Sequence, residues 1–367
     1  MFARLVALFV FLAVTPVLAA NTGGKLSKVE GQVFVRPPSG DETQGQAGVA
    51  LIAGTRIRTG KNSSAEVVFA DGSLLKLRSN SSILLSGNKR QKQKSSILLF
   101  FGHIWSKVSP SPGHTSYEVS TPNAVCGVRG TEFATQVGDD GSLRMQVTEG
   151  KVAVDGDSDG SEQVAQKGQQ VEANEQGINA PNESSNQPSY EKWQGQKRER
   201  LRKNGKNIVQ SMKGRILSRK EKLEKFRAEQ QKIEQARKEA MARAKEGDKA
   251  AIDEIRQLNQ KLADLADEIA DIGDEANAGF GAVDHFADLA NDPRFKLVGK
   301  KYIKMEAASL RRIKANLDKM VAEGTDMSME AMDKMLDDMS KGKGTLREKK
   351  GSAADDLFGP DGEMDMH

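Results

Sequence analysis

The chain has 367 residues, 37% of them hydrophobic and 29% charged, with a formal net charge of +4 from 55 basic and 51 acidic side chains. Such a length can bury at least one sizeable core and suggests two or three units. The balanced charge excludes nucleic-acid binding through an overall field and leaves only local patches to argue from, and the lone Cys126 excludes an internal disulfide.

Residues 1–19 read as a secretory signal peptide: Arg4 gives the positive start, Leu5 to Val17 the apolar run, and Val17-Leu18-Ala19 a small-residue cleavage pattern. The run is shorter than the roughly 20 residues that span a bilayer, no Cys follows it for lipid attachment, and no later segment approaches spanning length. The mature chain is expected to begin near Ala20, without a transmembrane segment, in a periplasmic or secreted location.

Residues 26–178 carry short β-branched runs separated by turn signals, the pattern of an all-β unit. Val29, Gly31, Val33 and Val35 share a strand face that ends at Pro37-Pro38. Ala65, Val67 and Phe69 alternate up to Asp71-Gly72, a pair suited to a type I′ hairpin, and Leu75 and Leu77 return. Lys89, Arg90, Lys92 and Lys94 crowd a loop over 86–95, a solvated stretch or one drawn to an anionic surface. The following ILLFFGHIW is the most apolar stretch of the mature chain, and His103 within it reads as a packed core residue rather than a ligand.

The centre of the β unit is Ser120 to Val137, STPNAVCGVRGTEFATQV, two strand-like runs broken at Arg129-Gly130. Pro122 suits a bend at a strand start, Cys126 sits in a strand pattern as a small apolar side chain, and Gly127 and Gly130 allow close approach or unusual dihedrals. Arg129 has two readings: a partly buried guanidinium pairing with Glu132 or Glu118 to tie one turn to the next, or a contact for a ligand or partner.

This stretch closely resembles the signature of the FecR domain family, roughly T-P-x-A-x-x-x-V-R-G-T-E-F, with Thr121, Pro122, Ala124, Val128, Arg129, Gly130, Thr131, Glu132 and Phe133 in place. The resemblance extends over about residues 26–175, through LSKVEGQVFV, LIAGTRIRTGKNSSAEVVFADGSLLKL and LRMQVTEGKVAV. It implies a β-rich, non-enzymatic sensing or binding module outside the cytoplasm, and it brings no catalytic residues. Thr121, Pro122, Arg129, Gly130, Thr131, Glu132 and Phe133 are then motif positions, either structural or in contact with a partner.

Asp139-Asp140-Gly141 and Glu149-Gly150 turn the chain between later strands. Asp155, Asp157 and Asp159 before Gly160 match the first half of a calcium loop, but Gln166 stands at the twelfth position where a bidentate Glu belongs, so a solvated turn competes with a calcium site. Calcium is the one cofactor the sequence raises. Residues 179–190 form a polar, proline-containing linker.

Residues 191–340 read as an all-α, coiled-coil-like domain. Gly195, Gly205 and Gly214 weaken its start, so the helix is expected mainly after Arg215, with Ile216, Leu223, Phe226, Ile233 and Ala240 as its stripe. Gly247-Asp248 is a stop followed by an N-cap. Ile255, Leu258, Leu262, Leu265, Ile269, Ile272 and Ala276 then step by three and four. Segment charges alternate: net +11 over 191–246, −9 over 247–292, +7 over 293–314 and −5 over 315–340. The pattern fits an antiparallel helical hairpin with complementary flanks, or the same pairing between two molecules as a homo-oligomer. Asp292-Pro293 is expected to open a further helix that Gly324 ends, followed by a Met-rich helix with Met332, Met335, Leu336 and Met339 and a disordered charged tail over 341–367.

His103, His114, His285 and His367 are scattered, and no P-loop, nucleophile elbow, dinucleotide fingerprint or zincin motif is present. The basic 191–246 stretch has Trp193 near its start but no interleaved stacking platform for nucleic acid. The sequence therefore describes a multidomain protein: an all-β N-terminal domain, as a sandwich or a rolled, solenoid-like sheet, followed by the helical domain. The function it points to is a non-enzymatic cell-envelope binding, scaffolding or signal-relay module, with a protein or an anionic envelope polymer as partner. The alternative is a FecR-like transmembrane sigma-factor regulator of anti-sigma type, relaying a signal from an outer-membrane transporter.

Overall fold

The computed structural model of the protein describes residues 22–86, 94–110, 116–156, 161–186 and 188–346. The expected signal peptide, Lys89, Arg90 and Lys92 of the basic stretch, Asp157 and Asp159 of the calcium-like loop, His114, and the tail from residue 347 with His367 lie outside the described residues.

The N-terminal part is β-rich. Its strands are β1 (Thr22–Glu30), β2 (Val33–Arg36), β3 (Thr43–Gln44), β4 (Ala50–Ile52), β5 (Arg56–Thr59) and β6 (Ser64–Val68). β7 (Leu74–Leu77), β8 (Ser82–Ser86), β9 (Lys94–Lys107), β10 (Ser116–Ser120), β11 (Ala124–Val128) and β12 (Glu132–Val137) follow. β13 (Leu143–Glu149), β14 (Lys151–Gly156), β15 (Glu162–Gln166), β16 (Gln169–Asn174), β17 (Gly177–Ile178) and β18 (Asn182–Glu183) complete it.

Two sheets share one long strand. The first runs β4-β1-β6-β7-β9-β12-β13-β16, with β17 and β18 both on β16. The second runs β3-β2-β5-β8-β9-β10-β11-β14-β15. Every pairing is antiparallel except β9 with β10. β9 belongs to the second sheet up to Phe101 and to the first from Gly102 onward, and its register against β8 shifts at that changeover. One apolar cluster is drawn from both sheets: Leu26, Val67, Leu75, Ile104, Phe133 and Met145 from the first, and Ile57, Ile83, Leu99, Val119 and Val154 from the second. Period-two alternation puts these side chains on one face of each strand. Cys126 is part of that cluster, and burial pushes its thiol well above the ordinary range, so it packs as an apolar group.

The β6–β7 hairpin forms where the alternation places it, but its turn is not type I′. Val68 pairs with Leu74, leaving a five-residue loop in which the Phe69 amide donates to the Ser73 carbonyl. Only Gly72 takes positive φ (82°); Asp71 instead accepts from the Ser73 amide and hydroxyl. A side-chain acceptor two residues upstream stabilises this Asx arrangement at no cost in backbone strain, which is why it wins over the I′ turn.

The unbroken apolar run of β9 is explained by burial on both faces. Ile97, Leu99 and Ile104 point into the β core, whereas Leu98 and Phe100 are buried outside it, Phe100 against Gly281 of the helical part.

The helices are α1 (Tyr190–Lys245), α2 (Lys249–Asn291) and α3 (Lys300–Leu346). α1 begins at Tyr190, capped by Ser189, and not near Arg215. Gly195 and Gly214 stand in open space while Trp193, Leu201, Ile208 and Val209 are buried, so packing overrides the low helix propensity of those glycines. The Gly247-Asp248 turn is as read: Gly247 has φ 98° and Asp248 accepts from the Ala250 and Ala251 amides. α1 and α2 pack within the chain, with Arg219–Glu275 at 3.2 Å and Arg243–Glu254 at 2.5 Å between their opposite charges. Of the α2 stripe, all but the half-buried Leu258 are buried.

Two helix boundaries differ from expectation. Pro293 does not open a helix: Asp292 accepts from the Arg294 amide and guanidinium, holding a turn, and α3 starts after Gly299. Gly324 does not end one either. α3 runs through it because a Cβ there would meet Ile269 Cγ2 at 3.0 Å, so the glycine marks close helix approach, and its carbonyl accepts from Gln230 Nε2 at 2.8 Å.

Candidate functional site

The family-like signature forms the corner where the chain passes from one sheet to the other. β11 lies in the second sheet and β12 in the first, so residues 129–131 carry the chain across. Thr121 tightens the entry: its hydroxyl donates to the Ala124 carbonyl at 2.7 Å, and the Ala124 amide donates back at 3.2 Å. Thr131 ties the corner to its neighbour, with its hydroxyl within 3.0 Å of the Lys151 carbonyl and 3.1 Å of the Arg129 carbonyl. Phe133 is fully buried, edge-on to Tyr117. Pro122 is buried, and Gly130 takes positive φ (59°).

Arg129 departs from the tie expected of it. It is exposed, and Glu132, one of its two expected partners, lies 3.7 Å from Lys107 instead. The corner is held by backbone carbonyls and the Thr131 hydroxyl, so no guanidinium is needed inside it. Thr121, Thr131 and Phe133 build the corner, and Arg129 projects from it.

At the far end of β12, six residues and about 20 Å away, the β12–β13 turn is gripped by the helices. Asp139 and Asp140 are 3% and 0% exposed. Asp139 accepts from Gln194 Nε2 (2.9 Å) and Arg198 Nε (2.6 Å) of α1, and lies 3.0 Å from His285 Nε2 of α2. Asp140 receives Arg200 Nη1 at 2.7 Å while also accepting from the Ser142 amide and hydroxyl. Arg200 further bridges Glu175. Burial alone would raise the Asp139 carboxyl; hydrogen bonds and charges from His285 and Arg198 outweigh it and hold the pKa below the ordinary value.

Aromatic contacts extend this clasp. His285 stacks on Phe101 at 3.9 Å between ring centres. Phe100 lies between the Arg56 guanidinium (4.3 Å) and Gly281, where a Cβ would fall 1.9 Å from the ring. Trp193 donates to Glu172 at 3.0 Å and meets the cations of Arg144 (4.8 Å) and Lys197 (5.1 Å).

Beside the clasp, the start of α1 and the outer face of the first sheet enclose a cleft of about 500 Å³. Arg78, His103, Gln136, Arg144, Tyr190 and Glu191 are among its walls. His103 is thus not a core residue: it faces Tyr190 at 5.0 Å, with burial and then Arg78 and Arg144 pulling its pKa down to about 4.

Sequence reasoning placed the corner but not the clasp. Asp139-Asp140-Gly141 has the composition of a solvated turn, and only the return of helices some sixty residues later buries it. One signal was available: Asp140-Gly141-Ser142 repeats Asp71-Gly72-Ser73, with the same side-chain acceptor arrangement at both turns. Of the calcium-like carboxylates, Asp155 lies on β14 opposite Glu162. Among the described residues no group of three potential metal ligands converges.

Residues 55–153, which include the whole corner, match the family described as FecR protein. Two crystal structures of a candidate anti-sigma factor from Parabacteroides distasonis, at 2.50 Å and 1.65 Å, are similar to the chain at 20% and 19% identity, with TM-scores of 0.31 and 0.30. Each alignment covers 35% of this chain and 59% of the other. No curated protein matches.

Proposed function

Because residues 55–153 carry a FecR domain, we propose that the chain is a non-enzymatic binding and signal-relay module acting outside the cytoplasmic membrane, with a β head docked on a coiled-coil-like helical arm. The observation that carries this reading is the geometry of β12. One end is the signature corner, which projects an exposed Arg129; the other end is Asp139, buried in side chains from α1 and α2. A partner that engages the corner therefore pulls on a short, fully paired strand whose opposite end the arm grips. The partner is a protein or an anionic envelope polymer, and a guanidinium suits a carboxylate or phosphate on either.

The signal-like start of the sequence supports export. Cell fractionation together with mass spectrometry of the purified chain tests it: the expected product begins near Ala20 and is recovered with the periplasmic or secreted proteins. A cytosolic product that retains Met1 contradicts the reading.

The family's regulatory namesake supplies a second reading, a membrane-anchored sigma regulator. No helix among the described residues is long and apolar enough to cross a membrane. An uncleaved chain recovered with the inner membrane would favour this second reading.

A further inference from the structure

The cleft at the start of α1 holds a buried cation that no carboxylate contacts directly among the described residues, with Glu172 and Glu191 acting on it only at a distance. Arg144 is 1% exposed, yet its recorded partners are neutral: Gln136 Oε1 at 2.7 Å from Nε and the Pro188 carbonyl at 2.9 Å from Nη1. No carboxylate among the described residues forms an ion pair with it; the nearby Glu172 is hydrogen-bonded to Trp193 and paired with Lys197. Taking a guanidinium out of water costs several kcal/mol unless a counter-charge accompanies it.

Several other groups on the wall have the same sense. Arg78 adds a second guanidinium at the mouth. Gln136 spends its carbonyl on Arg144, which leaves its amide N–H groups as donors. His103 Nδ1 is a buried atom with no partner in the structure, and a neutral imidazole can present an N–H there. The first turn of a 56-residue helix opens at the cleft, with its macrodipole favouring negative charge. Glu191 also lines the cleft; it is exposed and hydrogen-bonded back to Ser189 at the helix start, and it makes no ion pair with Arg144.

We propose that this cleft is a binding site for a small ligand bearing an oxyanion, a carboxylate or a phosphate group, held by Arg144 and Arg78 with Gln136 and His103 as further contacts. A cleft of about 500 Å³ suits a small organic anion. Arg144 and Gln136 belong to the β head, while Pro188 and Tyr190 belong to the start of the arm, so the ligand bridges the two parts. The proposal is independent of where the protein resides and of what binds Arg129.

The test is thermal unfolding of the purified full chain titrated with inorganic phosphate and, separately, with succinate, each against sodium chloride at matched ionic strength. One of the two anions is expected to raise the melting temperature saturably beyond chloride, and which one does so separates phosphate from carboxylate. Arg144→Gln should abolish the response. Because Arg144 is buried and its loss can perturb folding, the exposed Arg78→Gln is the second variant, expected to keep the fold and weaken binding about tenfold. No response beyond chloride to either anion, or a saturable response unchanged in Arg78→Gln, overturns the proposal.

Discussion

Asp139 and His285, 146 positions apart, meet at 3.0 Å and join the turn of a β-hairpin to the long helix α2. Each is nearly buried, and Arg198 and Gln194 complete the carboxylate's shell from α1. Asp139→Asn keeps the volume but removes the charge that three donors converge on. The expected loss is about 3 kcal/mol, read as a lower denaturation midpoint. Arg198→Gln should cost less, because that side chain is 56% exposed and its pair is partly screened.

The pH dependence of the clasp follows from the depressed Asp139 pKa. Its stabilisation is present in full above the ordinary carboxylate value of 3.8 and is lost as pH falls through the lower folded-state value. His103 behaves in the same sense in a different window. Its pKa falls from 6.5 to about 4 on folding, through burial and the neighbouring guanidiniums of Arg78 and Arg144. The unfolded chain therefore binds the extra proton first, and stability declines as pH drops from 6.5 toward 4, by on the order of 3 kcal/mol. Denaturant melts of the protein and of His103→Gln across that range check this; the variant should show a flatter profile.

Glycine substitutions should split by what lies beside them. At Gly281 a Cβ would fall 1.9 Å from Phe100, so Gly281→Ala must displace the ring and is expected to cost about 1–3 kcal/mol despite alanine's better helix propensity. Gly214 in α1 has nothing within 4 Å of a Cβ, and Gly214→Ala should stabilise by up to about 1 kcal/mol. Melting temperatures of the two variants, measured side by side, are expected to move in opposite directions.

How far the sequence carries can be seen at these same residues. The β head was legible because most of its strands bury one face, so alternation at Ala65, Val67, Leu75 and Leu77 survives into the structure. The α1–α2 hairpin was legible from charge and from Gly247-Asp248. The docking of arm on head was not. Phe100 and Phe101 read only as part of an apolar strand, and no local pattern says that Gly281 and His285 will cover them. Helix ends failed for a related reason: Gly324 and Gly214 look alike in sequence, yet one is pressed against Ile269 and the other stands in open space. Long-range contact decides between these cases, and propensity does not encode it.

At the signature corner, Arg129 and Thr131 should separate. Arg129→Ala removes an exposed side chain and is expected to leave stability within about 0.5 kcal/mol while weakening capture of the partner. Thr131→Val leaves the part-buried carbonyls of Arg129 and Lys151 without that donor and should cost about 1 kcal/mol. Equilibrium unfolding of both, with circular dichroism confirming native strand content, checks the contrast.

The account rests on head and arm behaving as one docked body, and differential scanning calorimetry of the protein tests that most directly. The prediction is a single transition in the native protein that divides into two when Asp139→Asn loosens the clasp. Two separate transitions in the unsubstituted protein, unmoved by Asp139→Asn, would contradict it.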